Sequence, residues 1–165
     1  VRRPHGVEVA KTRTRGAAPT YSRVVSGVSG RVLVVDDNKV IRQLIKVNLE
    51  LEGFEVVTAN DGAECLDVVH QVCPDVITLD VVMPRLDGFG AAAQLRADPR
   101  TRDVPVAIVS ACTHQEVESG IAAGVDAFLA KPFEPTELVR IVRRLAERKD
   151  RRDGRRGAPA GRGHG

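Results

Sequence analysis

The sequence predicts an α/β fold: a doubly wound sheet of five parallel strands with five helices on its two faces. Short apolar, β-branched runs alternate five times with segments of helical period between Arg31 and Glu147. No two runs are joined closely enough to form an antiparallel hairpin, so right-handed crossovers are implied. The runs are also apolar at successive positions, as strands covered on both faces require.

Arg31-Val32-Leu33-Val34-Val35 is the first strand and stops at Asp36-Asp37. Asn38 is a good N-cap for a helix whose apolar residues recur as Val40, Leu44, Val47 and Leu51, with Ile41 and Ile45 widening the face. Gly53 ends that helix, and Phe54 to Thr58 forms a second strand. Asn60-Asp61 caps a helix carrying Ala63, Leu66, Val69 and His70. Pro74 leads into Val76-Ile77-Thr78-Leu79, which ends abruptly at Asp80. Asp87-Gly88 then opens a third helix that closes before Pro99. Val104 to Ser110 is the fourth strand, and His114 to Ala123 a helix stopped by Gly124. Asp126 to Ala130 is the fifth strand, followed by Lys131-Pro132. A last helix spans Glu134 to Glu147, with Leu138, Ile141, Val142 and Leu145 along one side.

Charge divides the chain. Residues 1–30 hold six basic side chains against one acidic, and residues 148–165 hold seven against two. The stretch between is acidic, although the whole chain carries +3. Three parts are therefore expected: a flexible basic extension over 1–30, one domain over 31–147, and a flexible Arg/Gly-rich tail over 148–165. Cys65, Cys73 and Cys112 fit no metal spacing and suit a reducing, cytoplasmic setting. No apolar run approaches the ~20 residues of a membrane span. The N-terminal basic residues have no apolar segment behind them, so a secretory signal is not expected.

In a parallel sheet, groups at the carboxyl ends of the strands meet on one edge, where ligands collect. Here these are Asp36, Asp37, Asp80, Ser110 and Lys131. Carboxylates gathered so closely repel unless a cation sits among them, and an all-oxygen set suggests Mg²⁺ or Mn²⁺. Lys131 adds a fixed positive charge and Ser110 a hydroxyl donor. A group with several anionic oxygens fits such a site, phosphoryl first among them, with Asp80 as nucleophile. Taken singly, Asp36-Asp37 also reads as a cap and turn, Ser110 as structural, and Phe128 as core. His70 and His114 have no partners at metal or triad spacing.

The pieces VLVVDDN (32–38), LDVVMPRLDG (79–88), VSA (109–111) and FLAKPF (128–133) occur in order at the strand ends. With these, the chain from Arg31 to Glu147 resembles the receiver domain of bacterial response regulators. The resemblance implies a flavodoxin-like fold with strand order 2-1-3-4-5, Asp80 as phosphoacceptor, and Mg²⁺ held by Asp36, Asp37, Asp80 and the backbone carbonyl of Val82. It implies that Lys131, preceding a cis Pro132, contacts the phosphoryl group. Ser110 and Phe128 become the switch pair that reports phosphorylation. Val82 and Cys112 flank the path of the attacking water, and neither orients one, so slow dephosphorylation is expected. The implied partners are a histidine kinase or phosphotransfer protein and an unidentified downstream protein. The implied activity is a switch rather than a turnover enzyme.

Two other classes fit the sequence less well. A nucleic-acid regulator would use the basic ends, yet these carry no stacking platform and eighteen residues cannot build a helix-turn-helix. Solvated extensions are the favoured reading of them. A hydrolase of the aspartyl-phosphate type would need a cap over its substrate, and no insertion here is long enough.

Overall fold

The computed structural model describes residues 29–111 and 113–157, with side chains through Asp153. Residues 1–28, Cys112 and 158–165 lie outside it, and with them most of the expectation of flexible basic ends. The elements are β1 (Arg31–Val35), α1 (Lys39–Leu51), β2 (Glu55–Ala59), α2 (Gly62–Val72), β3 (Val76–Leu79), α3 (Gly88–Ala97), β4 (Val106–Ser110), α4 (His114–Ala122), β5 (Ala127–Ala130) and α5 (Pro135–Gly157). All strand pairs are parallel, and the sheet order is β2-β1-β3-β4-β5, as expected. None of these helices is long and apolar enough to cross a membrane.

Every residue of β1, β3 and β4 is buried, which explains their unbroken apolar runs. Successive side chains point to opposite faces, so each strand feeds two cores. Leu33, Val35, Ile77, Leu79 and Ile108 pack toward α2 and α3, with Cys65, Val69, Ala91, Ala92 and Leu95. Val32, Val34, Val76, Ala107 and Val109 pack on the other face with Ile45 and Leu49 of α1 and Leu138, Val142 and Leu145 of α5.

Several boundaries shift for local reasons. The fourth strand begins at Val106 rather than Val104, because Pro105 has no N–H to give the ladder, though its carbonyl still accepts from Ile77. Phe54 precedes β2: its N–H returns to the Leu49 carbonyl and its ring enters the core.

The larger correction concerns α1. The stripe expected to face the core is exposed: Val40 75%, Leu44 45%, Val47 42% and Leu51 78%. Of the expected face only its flanking pair turns inward, Ile45 buried and Ile41 half-buried, and Leu49 joins them. Both rows are apolar, and a helix can turn only one toward the sheet. Rotation is set at the amino end, where the Asn38 side chain accepts from Val40 and Ile41 and the Arg42 guanidinium donates to the Asp36 carbonyl at 2.7 Å.

The last helix also differs. It runs to Gly157, past the expected end at Glu147. Lys149 anchors this continuation, its ammonium donating to the Pro74 carbonyl at 3.1 Å and meeting Asp75 at 3.5 Å. Arg and Lys, six of the ten residues from Arg148 to Gly157, are good helix formers and continue the helix past Asp150, Asp153 and Gly154.

Candidate functional site

β1 and β3 are adjacent and in register, with Val35 opposite Leu79, so their carboxyl ends put Asp36 and Asp80 side by side. The ladder continues one step beyond each strand: Asp36 N–H donates to Ala59 O and Asp80 N–H to Val35 O. Carboxylate oxygens of Asp36, Asp37 and Asp80 all lie within 4.8 Å of one another. At an effective dielectric near 20, two full charges at that spacing repel by about 3 kcal/mol.

Asp36 is buried and Asp37 exposed, with Asp80 between these extremes. The burial of Asp36 is compensated by two donors. Its Oδ1 accepts from Asn38 N–H at 2.8 Å, and its Oδ2 from Lys131 Nζ at 2.8 Å. Lys131 also reaches Asp80 Oδ2, at 3.5 Å. Asp80 Oδ1 accepts from Val81 N–H at 2.8 Å. Burial, together with the negative charge of Asp36, raises the Asp80 carboxyl above its ordinary value, and Lys131 opposes the shift. Lys131 follows β5, its N–H donates to Ser110 O at 2.7 Å, and the peptide bond to Pro132 is cis.

Three carboxylates facing one ammonium leave the cluster negative. The donors are all hard oxygens, so the set is compatible with Mg²⁺. Ser110 is buried at the end of β4. Phe128 is opposite Ile108 in the β4–β5 register, and its ring, half-buried, lies against Gly120 of α4 beside the ring of Phe89. Val82 exposes its side chain, 73% accessible, and Cys112 is outside the described residues.

Supporting residues escaped the sequence reading. Gly88 stands where any Cβ would run into the Asp80 carbonyl, and its N–H donates to Val81 O, so it lets α3 start tight against the site. Arg85, in a left-handed conformation at φ 67°, forks onto Asp61 with contacts of 2.8 and 3.0 Å. That fork ties the β3–α3 loop to the α2 N-cap and holds the Asp61 carboxyl below the usual range. A charged pair across 24 residues leaves no periodic trace in sequence. Cys65 lies in the core, where burial pushes its thiol up to about 12 and keeps it unreactive. His70 meets Asp98 at 3.1 Å and His114 meets Glu118 at 3.4 Å, and neither joins the Asp36, Asp37 and Asp80 cluster.

The response regulator receiver domain family matches residues 32–143, and the chain belongs to that family. Such domains are phosphoryl-accepting switches of two-component systems. Among curated relatives, the DNA-binding dual master transcriptional regulator RpaA of Synechocystis sp. is 39% identical over 73% of this chain and 51% of its own length. The response regulator MprA of Mycobacterium bovis is 39% identical over 73% of this chain and 52% of its own. The chain thus spans about half the length of these relatives. Among solved structures, Vibrio cholerae chemotaxis protein CheY4 superposes with TM-score 0.67 at 34% identity, covering 70% of this chain and 97% of that one. The receiver domain of the Pseudomonas aeruginosa sensor histidine kinase PA1611 does so with TM-score 0.67 at 33% identity, covering 72% and 98%; it has a magnesium ion coordinated in its active-site cleft.

Proposed function

We propose that this chain is a cytoplasmic phosphorylation switch in which Asp80 accepts a phosphoryl group from a histidine kinase or phosphotransfer protein. The observation that carries the proposal is the juxtaposition of Asp36, Asp37 and Asp80 within 4.8 Å, with Lys131 bridging the first and last.

An Asp80 oxygen attacks phosphorus as the P–N bond to the donor imidazole breaks, and the departing electron pair stays on that nitrogen. The product is an acyl phosphate. Asp36, Asp37, Asp80 and the Val82 carbonyl would hold Mg²⁺, which neutralises charge on the transferring oxygens. Lys131 is near enough to Asp80 to pair with a phosphoryl oxygen once the carboxylate is esterified. The Ser110 hydroxyl is a donor for another, and its movement would be followed by the Phe128 ring. Output is a changed protein-binding face, so the chain is a switch and not a turnover enzyme.

The test is intact mass after incubation with acetyl phosphate and Mg²⁺. One phosphoryl addition is expected, dependent on Mg²⁺, absent in Asp80→Asn and reduced in Lys131→Ala. Undiminished addition in Asp80→Asn would overturn the assignment.

A further inference from the structure

Helix α5 turns Leu138, Val142, Leu145 and Ala146 into the core and exposes Arg140, Arg143, Arg144, Arg148, Arg151 and Arg152. At 3.6 residues per turn, five of these arginines, all but Arg143, fall within an arc of about 120° that starts opposite the core at Arg140 and ends beside it at Arg152, one heptad beyond Leu145. Arg143 pairs with Glu52 at 3.1 Å. The other five have no hydrogen bond or ion pair among the described residues. Arg140, Arg144, Arg148 and Arg152 form an unbroken i, i+4 row, in which each like-charged pair works against the helix. Glu147 and Asp150 are the acidic residues of this stretch, and they leave the arginines in excess.

We infer that this arginine face of α5 docks on the phosphate backbone of double-stranded nucleic acid. The inference goes beyond phosphoryl acceptance and does not depend on it. Position supports it first. α5 begins just after Lys131, at the acidic edge, and Lys149 meets Pro74 and Asp75 before β3, at the opposite edge. The basic end therefore leads away from the Asp36, Asp37 and Asp80 cluster, toward an edge where Glu55, Asp75 and Asp126 are each paired with a cation. Beyond Lys149 the helix runs to Gly157 without an apolar residue, so it gains nothing there from the core. Phosphates would neutralise the arginine row and remove its self-repulsion.

Chemistry selects among anionic partners. A membrane-surface helix needs a free apolar face, whereas the apolar side of α5 is buried against the sheet. Single strands are held largely by stacking on aromatic side chains, and α5 has none. Arginine's planar fork suits phosphate bidentately, and duplex presents one phosphate charge per ~1.7 Å, so the ~18 Å from Arg140 to Arg152 faces several at once.

Fluorescence anisotropy of the full chain with a labelled mixed-sequence duplex of about 30 base pairs, from about 50 to 300 mM salt, tests this. An Arg144→Glu/Arg148→Glu/Arg151→Glu variant is compared with Arg2→Glu/Arg3→Glu/Arg13→Glu, which changes the net charge equally. The helix variant is expected to bind at least ~10-fold more weakly and to flatten the log–log salt slope by about three, with smaller changes in the control. Arg→Gln at the same helix positions, which cannot introduce new repulsion, should lose affinity in the same direction. Absence of binding by the unaltered chain at the lowest salt, equal losses in the two charge variants, or capture by anionic phosphatidylglycerol vesicles without duplex binding would each overturn the inference.

Discussion

Asp80 holds its proton more tightly than a free carboxylate because burial and the charge of Asp36 outweigh the help from Lys131, which leans closer to Asp36. The consequence for stability has a definite sign. Above the ordinary value of 3.8, up to the raised one, the folded chain binds more protons than the unfolded chain. Stability therefore falls as pH rises through that window, and the whole cost stands at neutral pH. Asp80→Asn should melt higher than the parent at pH 7 without divalent cations, and the gap should close as pH falls toward 4. Mg²⁺ should raise the parent's melting temperature and leave the variant's unchanged. Thermal melts across pH check both, and a pH-independent gap would contradict the electrostatic account. Val82 is exposed two residues past Asp80, and on the proposed function its isopropyl group offers no hydrogen bond to a water attacking the acyl phosphate. The phosphorylated protein should decay over minutes or longer, and Val82→Asn should shorten this. A half-life of seconds, read by intact mass after donor removal, would contradict it.

At the scale of elements, α1 shows where periodicity stops being informative. Val40, Leu44, Val47 and Leu51 form as good an apolar row as Ile41, Ile45 and Leu49, and the choice rests on Asn38 and Arg42 gripping the strand end. Neither contact has a period, so the sequence pattern alone does not choose between the rows. Leu49→Ala should cost about 2–5 kcal/mol, whereas Leu51→Gln should change stability by less than about 0.5 kcal/mol. Denaturant titration of both variants checks this, and equal losses would restore the sequence-based face. The α4–β5 contact offers a second test. A Cβ on Gly120 would come 2.5 Å from the Phe128 ring, so Gly120→Ala should cost about 1–3 kcal/mol by overpacking. Gly120→Ala combined with Phe128→Leu should lose less than the sum of the single changes. Additive losses would mean that the ring does not bear on α4.

Over the whole molecule, the strands and their ends were readable because burial on both faces forces unbroken apolar runs and any interruption by Asp or Lys stands out, whereas strand order came from the family resemblance. The gathering of Asp36, Asp37, Asp80 and Lys131 followed from parallel topology. Contacts that join distant segments through single side chains were not readable: Arg85 to Asp61, Arg42 to Asp36, and Lys149 to Pro74. The last of these carries α5 beyond the expected boundary, away from the edge that holds Asp36, Asp37 and Asp80.

The central claim, that Asp80 is the phosphoacceptor, is tested most directly by borohydride reduction of the protein after acetyl phosphate and Mg²⁺ treatment. Reduction converts an acyl-phosphorylated aspartate to homoserine, and peptide sequencing by mass spectrometry locates it. Homoserine at position 80, only where both donor and Mg²⁺ were present, is the predicted result. Homoserine at position 36 or 37, or a phosphoryl addition that leaves position 80 as aspartate, would contradict it.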